Sequence, residues 1–193
     1  MITKINTKKN SKSINSPIPG FLQDPRSRVI IGLVFILFSI YLLFALGGFF
    51  FTGGIDQSLI DQNSRELLTR SDTLASNPAG KAGAYLADLL INRSFGLASF
   101  IFCYLLWMCG LQIAGRPIPH FTHRLLANLM LVLWFSLLLG YIFNFIPTGY
   151  VFPGGTHGHF VSLWLNGLIG SIGTFFIILI TLAGILFFGF EST

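Results

Sequence analysis

Four histidines, two cysteines and one pair of opposite charges are the residues here with chemistry to offer, and spacing limits each of them. The histidines form two pairs, His120 with His123 and His157 with His159. Two imidazoles can begin a metal site, but a zinc shell needs four ligands, or three and an open position. No cysteine or carboxylate stands near either pair, so a surface or interfacial role is expected and no metal. Cys103 and Cys109 lie six residues apart in one apolar stretch. On a helix that is a rise of about 9 Å, beyond the roughly 7 Å between Cα atoms that a disulfide tolerates. Gly110-Leu-Gln-Ile-Ala-Gly115 has the glycine spacing of a phosphate loop. Arg116 and Pro117 stand where such a loop needs Lys for the phosphates and Ser or Thr for magnesium. No Ser/His/Asp or Cys/His set assembles for nucleophilic catalysis. Asp88 and Arg93 remain, read as a solvated or mutually paired boundary, or as a device for contact between helices.

The elements that carry these residues are made for lipid. Of the 193 residues, 53% are hydrophobic, 21 are Phe and only 10% are charged. Soluble domains carry roughly 25% charge, so most of this surface must face something apolar. The net charge of +5 does not mark a nucleic-acid surface. Lys4, Lys8, Lys9, Lys12, Arg26 and Arg28 precede the first apolar run, and the other cations are scattered singly between runs. That is the placement of membrane flanks rather than of one basic face.

Four uncharged runs, 29–51, 95–114, 125–146 and 168–190, are each long enough to cross about 30 Å of hydrocarbon. The fold class expected is an all-α membrane protein of four transmembrane helices. Residues 1–28 read as a disordered basic tail and 29–190 as the membrane domain. The first run is too long for a signal-peptide core. In the long connection after it, residues 55–68 space Ile55, Leu59, Ile60, Leu67 and Leu68 as a short amphipathic surface helix would. A helix is expected to resume at Ala82 and run into the second span. Asn128, Asn144 and Asn166, near span ends, are expected to bond between helices. Gly167, Gly170 and Gly173 put small residues along the start of the fourth span, for close approach within the bundle or between subunits. Pro153-Gly154-Gly155 before them is a turn. No internal repeat is expected.

Counting Lys and Arg with the N-terminus inside gives eight inside, in the tail and at Arg116 and Arg124. Outside it gives four, Arg65, Arg70, Lys81 and Arg93. The positive-inside rule therefore puts both ends in the cytoplasm.

Three segments resemble a family. Asn77-Pro78-Ala79-Gly80-Lys81-Ala82-Gly83-Ala84-Tyr85-Leu86-Ala87-Asp88-Leu89-Leu90, followed by Phe95-Gly96-Leu97-Ala98-Ser99, is similar to the start of the second span in the four-helix membrane domain of FtsK/SpoIIIE DNA translocases. Gly115-Arg116-Pro117 matches the short arginine-bearing cytoplasmic turn. Gly154-Gly155-Thr156-His157-Gly158, then Leu165-Asn166-Gly167 and Gly170-Ser171-Ile172-Gly173-Thr174, resembles the glycine-rich start of the fourth span. The likeness covers about residues 26–190; His157 and His159 depart from it, standing where glycine and aliphatic residues are expected.

The resemblance implies a membrane anchor at the bacterial division septum, in the cell inner membrane. It would tether a hexameric ATP-driven motor that pumps chromosomal DNA, with divisome proteins and sister copies as partners besides the lipid bilayer. The motor, with its ATP, magnesium and DNA, would lie beyond residues 191–193, which read as the start of a linker, so the chain reads as a fragment. No catalytic, cofactor-binding or metal residue is expected in it. The candidate residues are those of the family motif and of helix packing quoted above. The rival class is a small transporter or permease subunit, disfavoured because no ionisable group lies within a span.

Overall fold

The computed structural model describes residues 24–62, 75–144, 146 and 149–190, and every element among them is helical. Asp24 accepts the Arg26 N–H at 3.0 Å, and Pro25 takes the first helical position, where its missing N–H leaves nothing unpaired. Helix α1, Pro25–Gln62, therefore starts before the apolar run. It also continues past it: residues 55–62, expected in a separate surface helix, extend α1 without a break. The rest of that expected helix, most of the N-terminal tail and 191–193 lie outside the described residues. After α1 come α2 (Gly80–Leu90), a π-helical turn (Ile91–Phe95), a 3-10 turn (Gly96–Ser99), α3 (Phe100–Ile113), α4 (Phe121–Phe143) and α5 (Gly155–Phe190).

Four stretches are long and apolar enough to cross a membrane: Pro25–Asp56, Gly80–Ile113, Phe121–Phe143 and Gly155–Phe187. Their large side chains point outward. Val34, Phe44, Trp164 and Ile180 are each more than half exposed, an arrangement only an apolar solvent stabilises.

The second and fourth stretches are not straight rods. Trp134 donates its indole N–H to the Ile178 carbonyl at 2.9 Å, and Ser136, two residues on, donates to the Gly154 carbonyl at 2.7 Å. A straight helix would hold residues 154 and 178 about 36 Å apart. Instead α5 folds back on itself at Gly170, whose φ of 76° and ψ of 167° lie outside the helical region. Its first arm, 155–169, rises beside α4; its second, 171–190, returns as a crossing of about 30 Å. The first half of the chain does the same. Ser39 donates to the Cys103 carbonyl at 2.6 Å and Tyr41 to the Ala79 carbonyl at 2.8 Å. Here the reversal falls at Gly96, with φ 70° and ψ −144°. The single helix expected from Ala82 onward is therefore two helices.

These correspondences amount to an internal duplication, which corrects the expectation of no repeat. Between the halves, the donors shift by 95 positions (39 to 134, 41 to 136) and the acceptors by 75 (79 to 154, 103 to 178). Pro78-Ala-Gly-Lys-Ala-Gly83 becomes Pro153-Gly-Gly-Thr-His-Gly158 under the same shift. Gly80 and Gly155 both have positive φ, 68° and 62°, and so do Gly96 and Gly170. The last two are 74 apart, one fewer than the carbonyl acceptors on either side of them. Each unit thus comprises a crossing helix, a loop seated against its middle, a partial-depth helix, a glycine reversal and a returning crossing helix.

Close backbone approach holds each unit. A Cβ on Gly110 would stand 2.7 Å from the Gly32 carbonyl oxygen, so α1 and α3 meet through glycine, as helices do where lipid supplies no hydrophobic drive. The main buried cluster, Leu42, Leu46, Phe49, Ala87, Ile91 and Cys103, fills the first unit.

Candidate functional site

Where the two units meet, the π turn and the first reversal receive the loop that opens α5. Asp88 is 3% exposed. Its carboxylate accepts the Arg93 Nε–H at 2.7 Å and the Asn92 amide N–H at 3.0 Å. Asp88 and Asn92 stand one helical turn apart, and the π turn advances Arg93 enough to close over the same acid. Arg93 remains 45% exposed, so one side of the pair faces outward.

Asn92 is the hub. Its amide also donates to the Tyr150 carbonyl at 3.1 Å, its carbonyl oxygen accepts the Phe152 N–H at 3.0 Å, and its backbone carbonyl accepts the Thr156 hydroxyl at 2.9 Å. The Leu97 N–H then donates to the Pro153 carbonyl at 2.8 Å. No side chain fits at Gly96, because a Cβ there would overlap Pro153 and Gly154. Tyr150 carries the junction to α1: its hydroxyl donates to the Phe50 carbonyl at 2.6 Å, and its ring meets Phe49 edge-on. Nearby, buried Asp56 accepts the Ser76 and Asn77 N–H groups at 2.8 and 3.0 Å. A cleft of about 480 Å³ opens beside this network, lined by Asp88, Asn92, Arg93, Thr156 and His159 among others.

The histidine pairs separate. The Nδ1 of His159 lies 2.7 Å from the Asn144 side-chain oxygen, and that amide donates to Ser162 at 2.6 Å. The Nδ1 of His157 lies 3.0 Å from the Ser136 hydroxyl, a Ser–His contact the sequence did not disclose. It cannot activate the serine. The Ser136 proton is already given to the Gly154 carbonyl, so the imidazole must donate toward Oγ rather than accept from it. Among the described residues no three metal-ligating side chains come together, and both cysteines are free thiols.

Of the residues singled out by sequence, several meet at this junction: Asp88, Phe95, Gly96, Gly154 and Gly155. The Phe95 ring sits 5.4 Å from His157. Gly83, Ala84 and Ala87 are buried within the first unit, Leu86 is half-buried, and Leu89 is 36% exposed. Gly80 opens α2, and Arg116 lies exposed in the turn before α4. Among the described residues nothing stands within 4 Å of a Cβ placed on Gly167 or Gly170, whereas the atoms nearest to one on Gly173 belong to Ile169, across the reversal. Asn128 bonds within its own helix, to the Arg124 carbonyl, whereas Asn144 does bond between helices. Asn92, Tyr150, Thr156 and Asp56 were not foreseen. The available signal was Asn92 four residues after Asp88, a pair that meets on any helix.

The fold and its junction define a multi-pass α-helical membrane domain whose polar side chains hold its own backbone. The chain belongs to the family of the 4TM region of DNA translocase FtsK/SpoIIIE, whose family model matches residues 26–192. No curated protein and no solved structure matches it.

Proposed function

We propose that this domain is the membrane anchor of a septal DNA translocase. It tethers an ATP-driven cytoplasmic motor to the bacterial inner membrane during cell division and chromosome segregation. The observation that carries the reading is the family match across 167 residues, 26 through 192, spanning all four membrane stretches. Its role is mechanical. In the family reading, ATP, magnesium and DNA belong to the motor domain, and lipid and divisome proteins to this one. A fluorescent fusion of the full chain is expected to concentrate at midcell in dividing cells; uniform membrane staining would overturn the reading.

Both termini are cytoplasmic in this proposal, which puts the Asp88–Asn92 junction on the outer side. In a cysteine-free background, Ser76→Cys is expected to react with a membrane-impermeant maleimide in intact cells. Arg116→Cys is expected to react only after permeabilisation. The opposite pattern would invert the topology.

A further inference from the structure

The cleft of about 480 Å³ beside the junction has the size of a small-ligand site, and the hydrogen bonds around it fix what its walls offer. Ser162 gives its proton to the His159 carbonyl at 3.0 Å, so it accepts from the Asn144 amide, and the Asn144 oxygen must then accept from His159 Nδ1. That holds the neutral imidazole in one tautomer, with Nε2 left as an acceptor. Thr156 gives its hydroxyl proton to the Asn92 carbonyl, which leaves its oxygen an acceptor as well. The Asp88 carboxylate has about four lone-pair sites, and Asn92 and Arg93 take one on each oxygen. These walls therefore present acceptors around a negative charge. The Arg93 guanidinium, 45% exposed, supplies donors beside them, and the two charges cancel. Phe152 and Phe160, 47% and 63% exposed, also line the cleft.

Depth narrows the choice of ligand. The Tyr150 hydroxyl binds the Phe50 carbonyl, at the end of the uncharged run 29–51, and Asn144 closes the C-terminus of α4. The cleft therefore lies where hydrocarbon gives way to headgroups. We propose that it binds the headgroup of a zwitterionic phospholipid with a primary ammonium, of the phosphoethanolamine type. The ammonium carries only donors and meets the acceptors of Thr156, His159 and Asp88, while the rings of Phe152 and Phe160 suit a cation. The phosphate meets the Arg93 guanidinium. The acyl chains leave over the exposed apolar side chains that face lipid. A headgroup with net negative charge fits less well, because Asp88 already offsets Arg93 and a phosphate alone finds no surplus cation. Asp88 and Arg93 belong to the first unit, Thr156 and His159 to the second. The lipid thus bridges the two units, and its binding stabilises their junction.

The full chain, purified in mild detergent, is titrated with phosphatidylethanolamine, phosphatidylglycerol or phosphatidylcholine, and retained lipid is counted by native mass spectrometry. A single phosphatidylethanolamine per chain is expected. Phosphatidylcholine, whose ammonium has no N–H, should be retained about tenfold less, the loss expected for one charge-assisted hydrogen bond. Phosphatidylglycerol, which has no cation, should fall at least as far. Thr156→Val combined with His159→Phe is expected to abolish the preference. If that variant elutes or melts unlike the parent, Phe160→Ser, at an exposed side chain, is read in its place and should lower phosphatidylethanolamine retention about threefold. Equal retention of the three lipids, or an unmoved preference in a variant that folds like the parent, would overturn the proposal. Free O-phosphoethanolamine at the same concentration should displace no lipid; displacement would assign the cleft to a soluble ligand and overturn the lipid reading. None of these results bears on whether the domain anchors a motor.

Discussion

Gly96→Ala is expected to unfold the junction. The cost has two independent parts. With φ 70° and ψ −144°, Gly96 occupies backbone space that a side chain makes unfavourable by about 1–3 kcal/mol. The added methyl would also overlap Pro153 and Gly154, which are backbone and cannot swing aside as a side-chain tip can. Overpacking of that kind adds typically 1–3 kcal/mol. Together the two take a large share of the 5–15 kcal/mol that holds an ordinary domain. Gly167→Ala is the matched control. Gly167 is exposed and meets nothing, and alanine is the better helix former by about 1 kcal/mol. Thermal unfolding of the detergent-solubilised chain, followed by circular dichroism with size-exclusion elution, separates them. Gly96→Ala should melt much earlier and elute broadly, while Gly167→Ala should match the parent or exceed it. Equal behaviour would mean that the chain does not reverse at Gly96.

The membrane class and the four crossings were legible because hydropathy depends on side-chain type summed over about 20 residues, and lipid imposes that length. The reversals were not. Apolar runs look alike whether one helix crosses or two helices meet at a glycine, and glycine is common in membrane helices for packing reasons as well. Gly170 was therefore read with Gly167 and Gly173 as a packing stripe, when it is the pivot of α5. The duplication was hidden for a related reason. Its preserved motif is only Pro-x-Gly-x-x-Gly, in which Lys81-Ala82 of one unit faces Thr156-His157 of the other. The donors repeat by role and not by type: Ser39 and Tyr41 in one unit do what Trp134 and Ser136 do in the other. A carbonyl buried in lipid needs a donor, and several side chains can supply one.

The departure between the units at the position of Asp88 sets the last prediction. Shifting by 75 puts Leu163 there, 44% exposed, whereas Asp88 is 3% exposed and bonded to Asn92 and Arg93. Asp88→Leu therefore fits the local helix and still should destabilise the chain. It removes the carboxylate to which Arg93 and one amide hydrogen of Asn92 donate. Breaking a fully buried pair by deleting one partner costs about 3–5 kcal/mol. Arg93 is 45% exposed, so solvent screening reduces that, and about 2 kcal/mol is the expected loss. Asp88→Asn keeps one acceptor oxygen and should fall between. The decisive variant is the double one. If the cost of Asp88→Leu is the loss of its ion pair with Arg93, adding Arg93→Leu should restore about half of the lost stability. The coupling in a double-mutant cycle would then be about 1 kcal/mol plus whatever Arg93→Leu costs alone. Simple additivity in the melting temperatures would show instead that Asp88 acts through packing alone. A stable Asp88→Leu protein would show that the junction rests on the Asn92–Tyr150–Phe152 contacts without help from the acid.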